Sequence, residues 1–96
     1  MNYTELNYDG FERYLINEGP HPFMGGLCYE FKFDNEFGAS VVKHSGSYGN
    51  MNDLFELAVL KNGSITYTTE ITDDVLGWLS NEEVIEALEN IMNLDN

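Results

Sequence analysis

Phe37-Gly38-Ala39-Ser40-Val41-Val42-Lys43-His44-Ser45-Gly46-Ser47-Tyr48-Gly49-Asn50-Met51-Asn52-Asp53-Leu54-Phe55-Glu56-Leu57-Ala58-Val59-Leu60 reads as strand, polar Gly-containing loop, strand. In the first half, Val41 and Val42 favour extended backbone, and either could face a core. In the second half, Phe55, Leu57 and Val59 form one face and Leu54, Glu56, Ala58 and Leu60 the other. A strand apolar on nearly both faces belongs in the middle of a sheet. The connection His44–Asp53 is long for a hairpin, and long loops more often carry function.

Upstream, Leu27, Tyr29, Phe31 and Phe33 alternate with Cys28, Glu30 and Lys32, the period of a half-buried strand. Asp34-Asn35-Glu36-Phe37-Gly38 supplies the turn into the opening stretch. Residues 1–26 are the least patterned part. Within them Asp9 can cap a short helix from Gly10 to Asn17, with Phe11, Tyr14 and Leu15 on one face. Gly19-Pro20-His21-Pro22 ends it, because proline disfavours helix at the preceding residue.

Downstream, Asn62-Gly63 is a hairpin signal, since both central residues of a type I′ turn need positive φ. Ile65, Tyr67, Thr69 and Ile71 then alternate as a fourth strand. Thr72 to Leu79 reads as a capped helical turn broken at Gly77. Ser80 and Glu83 fit a capping box for a helix running to about Met92. Val84, Ile85, Leu88, Ile91 and Met92 lie on one stripe of that helix, opposite Glu82, Glu83, Glu86 and Glu89. The expected fold is a single α+β domain over residues 1–96. It has a four-stranded antiparallel meander covered on one face by a C-terminal amphipathic helix, with a short N-terminal helix.

The 96 residues carry 17 acidic and 4 basic side chains, a formal charge of −13. Direct binding to nucleic acid or to an anionic membrane needs clustered Lys and Arg, so neither is expected. A basic protein partner is the electrostatic complement, and so is a cation. Six Phe, six Tyr and one Trp argue against disorder despite the charge. A single cysteine, no signal-peptide pattern and no apolar run long enough to span a bilayer point to the cytoplasm.

No motif carries recognisable chemistry, so no catalytic residue and no enzymatic activity is expected. His21, His44 and Cys28 lack zinc-ligand spacing, and Asp73-Asp74 lacks the rest of a calcium loop, so neither metal nor cofactor is expected. The neighbouring Ser45, His44 and Asp53 do not make a triad by adjacency alone. Asp73 and Asp74 suit a helix N-terminus. From Asn62 to Asn96 there are eight acidic residues and no basic one, so the four helix glutamates have no compensating lysine on their own face.

Gly26 to Phe33, Phe37 to His44 with Ser47-Tyr48-Gly49, Glu56 to Leu60, and Ile71 to Gly77 with Glu82-Glu83-Val84 resemble a group of small phage and prophage proteins of uncharacterised function. The resemblance covers roughly the last three quarters of the chain. It implies a phage setting and transfers no catalytic residue. With the charge, it suggests a counter-defence protein of anti-CRISPR or anti-restriction type. Such a protein would bind a host nucleic-acid-processing enzyme and block its nucleic-acid path as a DNA mimic. Glu82, Glu83, Glu86, Glu89, Asp73 and Asp74 would be the contact residues and Tyr48 an apolar anchor. The alternative is a non-catalytic phage accessory or regulatory protein acting as a homodimer or assembly subunit through an exposed edge strand.

Overall fold

The computed structural model describes residues 3–72 and 74–95. Its strands are β1 (Leu15–His21), β2 (Gly25–Lys32), β3 (Phe37–Lys43), β4 (Phe55–Lys61), β5 (Ser64–Ile65) and β6 (Leu76–Leu79), followed by helix α1 (Asn81–Met92). Every pairing is antiparallel, in the order β1-β2-β3-β4-β5, and β6 also pairs with β4. The α+β class, the antiparallel sheet and the C-terminal helix match the sequence reading. The expected count of four strands does not.

The first difference is at the N-terminus. Phe11 and Tyr14 do point at the core, but only Glu12–Tyr14 is helical, as one 3-10 turn. From Leu15 the chain is extended and pairs with β2, Asn17 opposite Glu30 and Gly19 opposite Cys28. One helical turn fixes several dihedrals for one hydrogen bond, so a short segment is a poor helix when a free strand edge lies beside it. Upstream of that turn, residues 3–11 run across the core. The Leu6 amide donates to Tyr29 Oη, and Asn7 and Asn81 exchange two hydrogen bonds. Leu6 and Phe11 are buried there, with Tyr8 packed edge-on to Phe31.

The second difference is at the outer edge of β4. Asn62 and Gly63 take positive φ, as the hairpin requires. The expected fourth strand, however, pairs only at Ser64–Ile65, opposite Lys61 and Leu60. The chain then leaves the sheet, and the rest of that edge is taken by β6, where a helical turn was expected: Leu79 pairs with Phe55 and Leu76 with Leu57. Leu76 and Leu79 pack against the core from there, and so does Ile71.

The alternation in β2 and β4 holds. Tyr29, Phe31 and Phe33, then Phe55, Leu57 and Val59, are buried on one face. In β3 it is Val41 that faces the core, with Ala39 and Lys43 on the same side. Helix α1 packs over β3, β4 and β6. It buries Val84, Ala87, Leu88 and Ile91. Full burial of each larger side chain is worth about 1.5–3 kcal/mol by area, which anchors the helix. Ser80 Oγ accepts from the Glu83 amide and the Glu83 carboxylate accepts from the Ser80 amide, the expected capping box.

At the other end, Asn35 in the β2–β3 turn donates from Nδ2 to the carbonyls of Ile91, Met92 and Leu94. A turn residue thus bonds carbonyls at and just past the helix C-terminus, where intrahelical donors run out. Asn35→Ala removes this cap and is expected to lower the unfolding free energy by about 1–3 kcal/mol, measured by urea denaturation.

Candidate partner-binding surface

The loop between β3 and β4 is held in one shape by its own polar groups. Ser47 Oγ accepts from the His44 amide and donates to the His44 carbonyl. Asn50 Nδ2 donates to the Ser47 carbonyl, and a 3-10 turn covers Asn50–Asn52. Asp53, at φ 59°, closes the loop by accepting from the Thr4 amide and hydroxyl and from Lys43 Nζ. This arrangement directs Tyr48 outward, 56% exposed. The Tyr48 amide donates to Glu56 Oε1 at 3.0 Å.

Tyr48 does not stand alone. Its ring stacks on Trp78 of β6, centroids 5.3 Å apart and planes 25° from parallel. Trp78 is itself 57% exposed. It lies in a bulge where Gly77 and Trp78 oppose the single residue Glu56. Trp78 sits at φ 54°, a left-handed conformation that costs a bulky L-residue roughly 1–2 kcal/mol. Two glycines make room for the pair. A Cβ on Gly49 (φ 92°) would lie 2.9 Å from Trp78 Cα, and one on Gly77 would lie 2.8 Å from Tyr48 Cβ. The sequence reading had Tyr48 but not Trp78. Trp78 falls in a short apolar run, and nothing local marks it as facing outward.

The helix glutamates occupy a different surface. Glu82, Glu83, Glu86 and Glu89 are exposed on the outer side of α1. Among the described residues the two ion pairs are Arg13–Asp34 and Lys43–Asp53, so no α1 carboxylate has an internal cation. Glu83 is partly committed, because its bonds with the Ser80 backbone and side chain hold its carboxyl below the usual range. Glu70, Glu83 and Glu86 rim a groove of about 290 Å³ floored by Ile71, Leu76, Leu79 and Ala87. Asp74 is exposed, and Asp73 lies outside the described residues.

Tyr48 sits by Glu56, on the side of the sheet that α1 does not cover. The structure therefore separates the proposed aromatic anchor from the acidic helix face. The two are joined through β6, with Trp78 two residues before the helix cap Ser80.

Other reactive groups are engaged elsewhere. Asp53 faces Thr4 and Lys43, and His44 Nδ1 accepts from the Gly46 amide, so His44 and Asp53 do not form a relay with Ser45. Lys43 is buried in the fold. Burial pushes the Cys28 thiol up, with Glu30 adding to the effect, which disfavours a thiolate. His21 and His44 lie 5.2 Å apart between ring centroids. The Nδ1 of each accepts backbone N–H groups, which places the proton on Nε2. Among the described residues no three His, Cys, Asp or Glu side chains converge as a metal site, and no helix is long and apolar enough to cross a membrane.

Burial, then the charge of His21, lowers the pKa of His44, while Glu56 opposes the shift. The fold thus favours neutral His44. Its contribution is complete above the ordinary histidine pKa of about 6.5 and is lost as pH falls through the lowered folded value. Protonation also removes the Nδ1 acceptor that holds Gly46. Acidification from pH 7 to 5 is therefore expected to loosen the loop and shift Trp78 emission through Tyr48. His44→Gln should flatten that transition, and an unchanged pH profile would refute the link.

Comparison with protein-family models, curated proteins and solved structures gives no match, so the reading of this surface rests on its own geometry.

Proposed function

We propose that the protein is a non-catalytic acidic inhibitor that binds a basic groove on a host nucleic-acid-processing enzyme and blocks its DNA or RNA path. The observation that carries this reading is the outer face of α1. Its Glu82, Glu86 and Glu89 are exposed, close in space along one helix, and without a cation partner among the described residues. Repeated carboxylates on a rigid helix mimic the spaced charge of a phosphate backbone and steer association with a positive channel. In the phage setting that the sequence resembles, a CRISPR effector or restriction complex is the partner, met in the host cytoplasm.

A homodimer or assembly subunit paired through an edge strand is the weaker reading. The outer edge of β1 carries Pro20 and two register irregularities, devices that blunt strand pairing.

The deciding experiment immobilises the protein, passes host lysate over it and elutes with a salt gradient. Recovery of a basic nuclease complex whose cleavage the free protein inhibits supports the proposal. A tight dimer by light scattering, with no such complex retained, would sink it.

A further inference from the structure

The fold holds Tyr48 and Trp78 on its surface against several opposing effects. Trp78 adopts a left-handed φ that bulky residues avoid. Gly49 and Gly77 must lack side chains for the two residues to approach. Both residues stay more than half exposed with their rings stacked. A pair serving stability alone would be buried. Backbone strain and two sterically required glycines at an exposed contact instead point to a binding role.

The chemistry of the occupant follows from charge. Tryptophan presents the best aromatic face for a cation. This chain places its own cations over other rings: Arg13 over Tyr14, Lys43 over Phe55 and Lys61 over Phe37. Among the described residues none lies over Tyr48 or Trp78. Glu56, opposite the bulge and bonded to the Tyr48 amide, adds a carboxylate beside the pair.

We infer that Tyr48 and Trp78 form a platform on which an arginine of the basic partner stacks, with Glu56 as its counter-charge. The inference rests on the acidic-binder reading above and assigns it a specific contact. Arginine is favoured over lysine because its planar, weakly hydrated guanidinium both stacks on the rings and keeps its N–H groups free for the carboxylate. The two surfaces then divide the work. The helix supplies long-range attraction, and the platform supplies side-chain selectivity.

Trp78 is the chain's only tryptophan, so its emission reports on the site directly. The test titrates the full chain with an oligoarginine peptide and an oligolysine peptide of equal length, by fluorescence and by calorimetry. Oligoarginine should bind about five- to tenfold more tightly and shift Trp78 emission saturably. Tyr48→Ala should erase that preference, and Tyr48→Phe, which keeps a ring, should retain it. Equal affinity for both peptides, insensitive to Tyr48→Ala but weakened by Glu86→Lys, would overturn the platform and leave the acidic-helix reading standing. Failure of both peptides to bind would overturn both.

Discussion

Asp53→Asn is expected to lower the unfolding free energy by about 2–3 kcal/mol, a large effect for a change of one atom in a half-exposed side chain. The reason is Lys43. It lies at the end of β3 on the core side, with its side chain 1% exposed. Its ammonium is held by Asp53 Oδ1 at 2.9 Å, the Thr4 carbonyl at 2.9 Å and the Phe55 ring at 3.8 Å. Removing one partner of a buried pair typically costs about 3–5 kcal/mol, because the remaining charge is left uncompensated. The smaller figure reflects the 42% exposure of Asp53 and the two partners that Lys43 keeps. Asparagine tolerates the left-handed backbone of Asp53, so the substitution isolates the charge. Lys43→Met combined with Asp53→Asn should recover much of the loss in urea denaturation. A double variant as unstable as Asp53→Asn would show that the ammonium is not the cause.

Acid should reproduce the same effect. Hydrogen bonds from the Thr4 side chain, then Lys43, lower the Asp53 carboxyl from 3.8 to about 2. A depressed carboxyl stabilises the fold fully above its unfolded pKa, and the contribution fades as pH falls through the folded value. The stability gap between the native chain and Asp53→Asn should therefore close between about pH 4 and pH 2. Neutralising other carboxylates acts oppositely on the whole molecule by relieving self-repulsion. The difference between the two proteins is thus the informative quantity, rather than either curve alone.

If the proposed basic partner is the target, Glu82→Gln with Glu86→Lys and Glu89→Lys is expected to weaken binding to it roughly a hundredfold or more at low salt, without loss of helical circular dichroism. Each exposed charge contact is worth only about 0.2–1 kcal/mol. The effect comes from replacing several attractions with repulsions on one face. Glu83 is spared because its carboxylate completes the cap at Ser80, and glutamine at position 82 avoids placing a cation at the helix N-terminus. Native affinity should fall steeply as salt shortens the screening length to about 8 Å near 0.15 M. Unchanged binding by the triple variant, or a salt-insensitive affinity, would refute the acidic-surface mechanism.

The parts of the fold legible in the sequence are those specified by local physics. Alternation puts Tyr29, Phe31, Leu57 and Val59 inside, and the Asn62-Gly63 turn follows from its need for positive φ. Ser80 and Glu83 cap the helix because each satisfies a neighbouring amide. The acidic face of α1 is equally visible, since helical spacing alone groups its glutamates. Other features depend on non-local competition. Ile65 to Ile71 alternates like a strand, but β4 offers one outer edge, and β6 takes most of it. Leu15–His21 has little strand pattern, yet the free edge of β2 satisfies its backbone.

The candidate site divides in the same way. Tyr48 and the acidic residues were open to sequence reasoning, whereas the partnership of Tyr48 with Trp78 was not. It depends on a bulge opposite Glu56 and on two close approaches at Gly49 and Gly77, residues distant in the chain. The burial of Lys43 is hidden for the same reason, because its partners come from the N-terminal segment, the loop and β4. By itself the sequence determined a largely antiparallel α+β domain with an uncompensated acidic helix. Only the tertiary structure decided which segments pair with β4, where the buried ammonium of Lys43 is neutralised, and which aromatic pair remains outside. Period and turn chemistry are properties of neighbouring residues, while edge occupancy and exposure are set by what the rest of the chain brings alongside.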